Sequence, residues 1–372
     1  MSAWRRDRLI VFALLLSVAG AVAPATAADK WILQGLLDAE VWGTNDGSPT
    51  LTRDEGDTGP VGRLRLWTAG DIAPGLQGMV RGSVNGGAAT NHDGTDTDLE
   101  LAFGRYTVPG KVRMIVEAGR IVTPIGDFAR RYLSSSNPLV GDPEAYAIHY
   151  PDGVKVSGWL GSFDYTLAYV NQPLTGARYN VDAGRAFRPA LAAGYTPFTG
   201  FRFGAYATQG PYLGKDSDPF MPAGSDWRDY DEKTAGLDMQ FSRGYFELHG
   251  EMTRSHYEIP TVADSGHAWV WYLEPKYTIT PRLFTALRFE RNDYQWVFPI
   301  AGTSWMTADL SVCDIELGMG YRIASGALFK VSYRREKWNV AEAIRDYYPD
   351  GYAVAAQLSW TFDALQMAER PR

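Results

Sequence analysis

The feature that most constrains this chain is a hydrophobic period of two residues that returns along most of its length. In 352–362, Tyr352, Val354, Ala356, Leu358, Trp360 and Phe362 fall on one face, with Ala353, Ala355, Gln357, Ser359 and Thr361 on the other. Ile315, Leu317, Met319, Tyr321 and Ile323 alternate in the same way with Glu316, Gly318, Gly320 and Arg322. Phe163, Tyr165, Leu167 and Tyr169 alternate with Asp164, Thr166 and Ala168. Successive side chains of a strand point to opposite faces, so each segment predicts a strand with one apolar and one polar side. A water-soluble sandwich would alternate too.

Connection lengths separate the two. About sixteen such segments run over 31–43, 60–70, 74–86, 97–108, 111–121, 153–161, 162–172, 188–197, 200–209, 233–242, 244–257, 267–278, 281–293, 311–323, 326–339 and 351–362. Tight links such as Pro109-Gly110, Gly161-Ser162 and Ala324-Ser325 take turns with long polar ones at 44–59, 87–96, 122–152, 173–187, 210–232, 258–266, 294–310 and 340–350. Short turns on one rim and long loops on the other predict an all-β fold, a transmembrane antiparallel up-and-down β-barrel. Closing an even number of strands leaves no free edge, which a bilayer would not tolerate. Trp31, Trp42, Trp67, Tyr106, Trp159, Tyr169, Trp338 and Trp360 lie near segment ends, where amphipathic rings sit at headgroup level.

The first residues read as an address. Arg5, Arg6 and Arg8 precede the apolar run 9–23, and Ala25-Thr26-Ala27 offers small residues for cleavage, so 1–27 is expected to be a secretory signal. The barrel domain then spans 28–362, with a short C-terminal tail at 363–372. No later run approaches the 20 or so apolar residues that a membrane helix needs. At 45% hydrophobic and 21% charged residues the chain is not disordered, and a net charge of -7 excludes a general nucleic-acid binder. Cys313 is the single cysteine, so neither an intramolecular disulfide nor a thiolate zinc site can form. The five histidines (His92, His149, His249, His256, His267) are scattered and no HExxH or GxSxG occurs, so no enzyme, catalytic residue, metal or cofactor is expected. The acidic stretch 91–98 lacks a full calcium-loop pattern and reads as a solvated external loop, open to bridging with lipopolysaccharide through divalent ions.

Phe362 closing the last strand, the stretch Gly119-Arg120-Ile121-Val122-Thr123-Pro124-Ile125-Gly126 and the pair Asn137-Pro138, together with strand count and loop asymmetry, resemble the Gram-negative outer-membrane porins, both general and phosphate-selective. The resemblance covers the whole mature chain. It implies a third external loop folded into the lumen, and the longest connection, 122–152, falls at that position. It also implies a homotrimer in outer-membrane lipid and lipopolysaccharide, passing small hydrophilic solutes or ions passively. The tail after Phe362 departs from it, since porins commonly end at the terminal aromatic.

About sixteen strands enclose an aqueous lumen rather than a filled core. Its expected constriction sets Arg63, Arg65, Arg81 and Arg113 on the inward faces of early strands against Asp127, Asp142 and Glu144, beside Arg130 and Arg131, in the long loop. A basic wall facing an acidic loop would order water and dipolar solutes across the pore. The same arginines could instead pair with Asp38, Glu40, Glu100 and Glu117 on neighbouring strands. Inward acids and bases nearly balance, so ion preference is not readable. The alternative function, which the loop 210–233, rich in Pro, Asp and aromatics, keeps in play, is an outer-membrane scaffold or adhesin with a closed lumen.

Overall fold

The computed structural model describes residues 31–45, 51, 58–87, 95–110, 113–144, 146, 148–173, 185–300 and 302–364. The secretory segment 1–27, residues 91–94 of the acidic stretch and the tail beyond Ala364 lie outside them. Among the described residues sixteen strands run in chain order: β1 (Trp31–Thr44), β2 (Thr58–Ala73), β3 (Leu76–Gly87), β4 (Thr95–Val108), β5 (Arg113–Arg120), β6 (Asp152–Leu160), β7 (Phe163–Val170), β8 (Arg188–Phe198), β9 (Phe201–Pro211), β10 (Asp231–Arg243), β11 (Phe246–Tyr257), β12 (Gly266–Thr278), β13 (Leu283–Pro299), β14 (Trp305–Ala324), β15 (Ala327–Val340) and β16 (Gly351–Asp363). Each pairs antiparallel with its sequence neighbours, and β1 pairs with β16, with Leu37 opposite Trp360 and Ala39 opposite Leu358. The sheet is a closed up-and-down barrel.

The two faces divide as the alternation predicts. Glu316 is buried on β14, while the next residue, Leu317, is 53% exposed. Leu167, Leu191, Phe203, Leu237, Val331 and Val354 are exposed in the same way around the barrel, whereas Asp38, Glu274, Arg288 and Lys330 are buried. Charge inside and leucine outside reverses the order of a water-soluble protein and suits a wall surrounded by hydrocarbon. No described helix is long and apolar enough to cross a membrane.

The seven links of one rim are short; between β10 and β11 the chain reverses through Gly244, whose φ of 63° needs a residue without Cβ strain. On the other rim one expected loop is largely strand. β13 continues to Pro299 and β14 starts at Trp305, so only 300–304 connects them where 294–310 was expected. The extension pairs Gln295 with Asp309 and Val297 with Thr307. Val297 and Trp305 are buried with Tyr212, Leu213, Met221 and Trp227, and the Trp305 indole donates to the Phe220 carbonyl at 3.0 Å. The hairpin extends because the β9–β10 connection supplies an apolar partner that local sequence does not reveal.

Candidate pore constriction

The longest connection, 121–151, joins β5 to β6 and is held by buried wall side chains. Its first anchor is at Gly126, whose φ is 83° and whose Cα lies so close to the Glu251 carboxylate that a Cβ would collide with it. Bare backbone there lets the N–H groups of Asp127 and Phe128 donate to Glu251 Oε2 at 3.0 and 3.2 Å. The Tyr206 hydroxyl donates to the other carboxylate oxygen at 2.7 Å, so Glu251 cannot swing aside. Asp127 accepts from Gln240 at 2.5 Å and from Arg131 Nε at 3.1 Å, and stands 2.8 Å from His249 Nδ1. Burial alone would raise its carboxyl, but His249 and Arg131 hold it below the usual carboxylate range. Arg131 also bonds Glu274 and the Tyr272 hydroxyl on β12.

The tip of the connection is held from β13, β14 and β15. The Lys330 ammonium donates to the carbonyls of Ser134, Asn137 and Leu139 at 2.9, 2.9 and 2.8 Å. A buried ammonium is costly unless its protons are used, and here all three are. Arg288 donates to the Gly141 carbonyl at 2.9 Å and to Asn137 Oδ1 at 3.1 Å while paired with Glu274 at 2.6 Å. Glu316 accepts the Gly141 N–H at 2.9 Å, and the Ser134 hydroxyl donates to Asp38 on β1 at 2.5 Å.

Two polar cavities border this connection. The first, of about 510 Å³, lies between β2 to β5, which contribute Arg63, Arg65 and Arg120, and the segment's Asp142, Glu144 and Tyr150. The second, of about 530 Å³, lies between Thr123 and Arg130 of the segment and Lys155, Asp164 and Arg202 of β6, β7 and β9.

The residues expected at a constriction separate into five groups. Arg63, Arg65, Asp142 and Glu144 line one cavity. Within it Arg63 bonds the neutral Asn85, at 2.8 Å, whereas Arg65 is 2.9 Å from Glu100 and 3.6 Å from Asp38. Arg81 is 2.7 Å from Glu100 and bonds the Tyr132 hydroxyl, its guanidinium over the rings of Tyr132 and Tyr150. Pairing with Asp38 and Glu100, the alternative for these arginines, is thus what Arg65 and Arg81 do. Asp127 and Arg131 are buried anchors, and Arg130 borders the second cavity, 3.9 Å from Asp164. Arg113 stands apart from all of these: it is the exposed first residue of β5, opposite Trp159 at the short-turn end.

Reasoning from sequence missed Arg120, Tyr150, Lys330, Arg288 and Glu251. Arg120 lies in the Gly119–Gly126 stretch quoted for its resemblance, and its Nε donates to the Tyr150 carbonyl at 3.2 Å. Burial and the nearby Glu100 push the Tyr150 phenol up to about 12, so it stays a neutral hydroxyl facing the first cavity. Lys330 and Arg288 were countable as inward bases, but nothing in their neighbourhoods signals the carbonyls they hold.

With this geometry in view, likeness to solved structures is informative about the fold. An anion-selective porin from Comamonas acidovorans aligns at a TM-score of 0.60 and 13% identity, over 89% of this chain and 99% of that one. Salmonella typhi OmpF, solved in complex with daunomycin, aligns at 0.58 and 13%, over 89% and 97%. A loop L8 deletion mutant of OmpT, an outer membrane protein of Vibrio cholerae, aligns at 0.57 and 13%, over 89% and 99%. No protein-family model and no curated protein sequence matches this chain. The architecture is the porin-like sixteen-strand barrel.

Proposed function

We propose that this protein is an outer-membrane porin, a water-filled channel through which small hydrophilic solutes and ions diffuse passively. The observation that carries the reading is the anchoring of 121–151. Side chains of β1 and of β10 to β15 converge on this one connection. Walls that far apart in a closed barrel can meet one segment only in its interior. The reading therefore takes 121–151 as a fixed constriction, with solutes passing along the side where the polar cavities remain. Arg63 and Arg120 face Asp142 and Glu144 across the first cavity, which supports a transverse field that orders dipolar solutes. The reading includes export through segment 1–27, a homotrimer in lipid and lipopolysaccharide, and no chemical step or energy coupling.

Single-channel recording of the folded protein in a planar bilayer tests it. Stepwise ohmic openings, in about threes for a trimer, support the porin. Silence from protein verified as a folded barrel would leave the surface scaffold, which the apolar cap of Tyr212, Leu213, Trp227 and Trp305 favours by giving the long-loop rim an ordered surface.

A further inference from the structure

Outside the barrel, where the apolar belt ends toward the long-loop rim, cations gather around one groove, and among the described residues only one of them has an acid partner. Arg291 on β13, Cys313 on β14 and Lys337 on β15 are direct cross-strand partners on the outer face. With Ser311, Asn339 and Arg345, which follows β15 in the turn Glu342–Tyr347, they line a groove of about 430 Å³. Arg335 stands two residues from Lys337 on the same face. Arg335, Lys337 and Arg345 are exposed, and among the described residues none makes an ion pair. Arg291 alone is matched, by Asp293 at 2.7 Å. The lining of the groove holds Arg291, Lys337 and Arg345 and no carboxylate, while Asp293 and Asp309 line the adjoining groove toward the rim.

What lies next to the groove indicates the shape of its partner. Moving toward the short-turn rim, the next outward rows pair Phe289 with Ile315, then Leu287 with Leu317 and Leu317 with Tyr333. Phe289, Ile315, Leu317, Tyr333 and Val331 are exposed apolar side chains. A ligand fitting both parts carries anionic oxygens at one end and hydrocarbon at the other.

We propose that this groove binds a phosphorylated lipid of the surrounding leaflet, its phosphate among Arg291, Lys337, Arg345 and Arg335 and its acyl chains along the Ile315–Tyr333 strip. Guanidinium groups take phosphate oxygens in pairs, and basic side chains at the edge of a hydrocarbon belt draw anionic headgroups. The inference rests on the membrane-barrel reading but not on conduction. Cys313, exposed in the groove and the single cysteine of the chain, provides a reporter.

The test uses the full folded chain in a neutral maltoside detergent, with lipid A, its dephosphorylated form and inorganic phosphate as probes. Native mass spectrometry reads retained lipid, and the rate of Cys313 modification by an uncharged thiol reagent reads occupancy. Lipid A should be retained and should slow Cys313, and the dephosphorylated form should do neither. The combined variant Arg335→Gln, Lys337→Gln, Arg345→Gln should lose about tenfold or more of the retention. The variant Arg243→Gln, Arg282→Gln, Arg322→Gln, with the same charge change at the opposite rim, should retain lipid as the parent does. Equal retention by the first variant, or by dephosphorylated lipid, overturns the proposal. So does protection of Cys313 by inorganic phosphate alone, the sign of a free-anion site, or by a doubling of mass without lipid, the sign of a second copy. Ohmic openings combined with absent retention would overturn this inference and leave the porin intact; retention by an electrically silent barrel would do the reverse.

Discussion

At the scale of single residues, the anchoring of 121–151 depends on a few buried charged side chains that bond it. Lys330 is the sharpest case, because Lys330→Met removes three hydrogen bonds to carbonyls of the connection at once. Each stranded carbonyl costs about 1–3 kcal/mol where it stays dry, enough to free the tip while the barrel wall stays whole. Single-channel records of Lys330→Met should show a noisy, fluctuating current in place of a steady level, with unchanged heat-modifiable gel mobility. Asp127 predicts a pH limit. Its carboxyl is held below the ordinary value in the folded chain, so its contribution is fully present above about pH 4 and is lost as pH falls through the lowered value. Current noise should therefore show a rise below about pH 4 that belongs to Asp127. In Asp127→Asn that rise should vanish, on a higher level of noise.

At the scale of elements, alternation is a property of extended backbone, which is why nearly every strand was legible from the order of residues alone. The misplaced boundary, between β13 and β14, is where Val297 and Trp305 depend on Tyr212 and Trp227 from a distant connection. The candidate site was less legible, for a related reason. Inward position followed from parity, so Arg63, Arg65 and Arg81 could be named with Asp38, Glu40, Glu100 and Glu117 as possible partners, but which arginine meets which acid could not. The register between β3 and β4 shifts at Arg81 and Gly82, where Arg81 faces Leu101 and Gly82 faces Leu99, leaving Glu100 as the extra residue. That bulge sets Glu100 against both Arg65 and Arg81. No pattern of residue types announces a bulge. The outer face yields a prediction of its own: Leu317→Arg should cost about 2–4 kcal/mol if its row lies at mid-membrane, whereas Lys337→Leu, at the rim, should change little. Urea unfolding from lipid vesicles measures both.

At the scale of the whole molecule, the sides of the barrel have different tasks. β1 and β10 to β15 supply most of the bonds that hold the connection, while the cavities lie mainly toward β2 to β9. Ion preference should answer to the charged side chains that line the first cavity. Arg63→Gln with Arg120→Gln should move the reversal potential in a salt gradient toward cations, and Asp142→Asn with Glu144→Gln toward anions. Equal reversal potentials in both would mean that current does not pass through that cavity.

The seam also governs how such a molecule comes into being. Gln357 donates to Glu40 across 317 positions of sequence, and β1 has no other partner on that side than β16. Neither edge is satisfied until the final strand has been made, so no partial sheet is an acceptable resting place in a bilayer. Contacts between residues so remote in sequence are slow to form. Assembly is therefore committed late and as a unit, and a chain truncated within its last strand should accumulate as unfolded precursor rather than as a smaller pore.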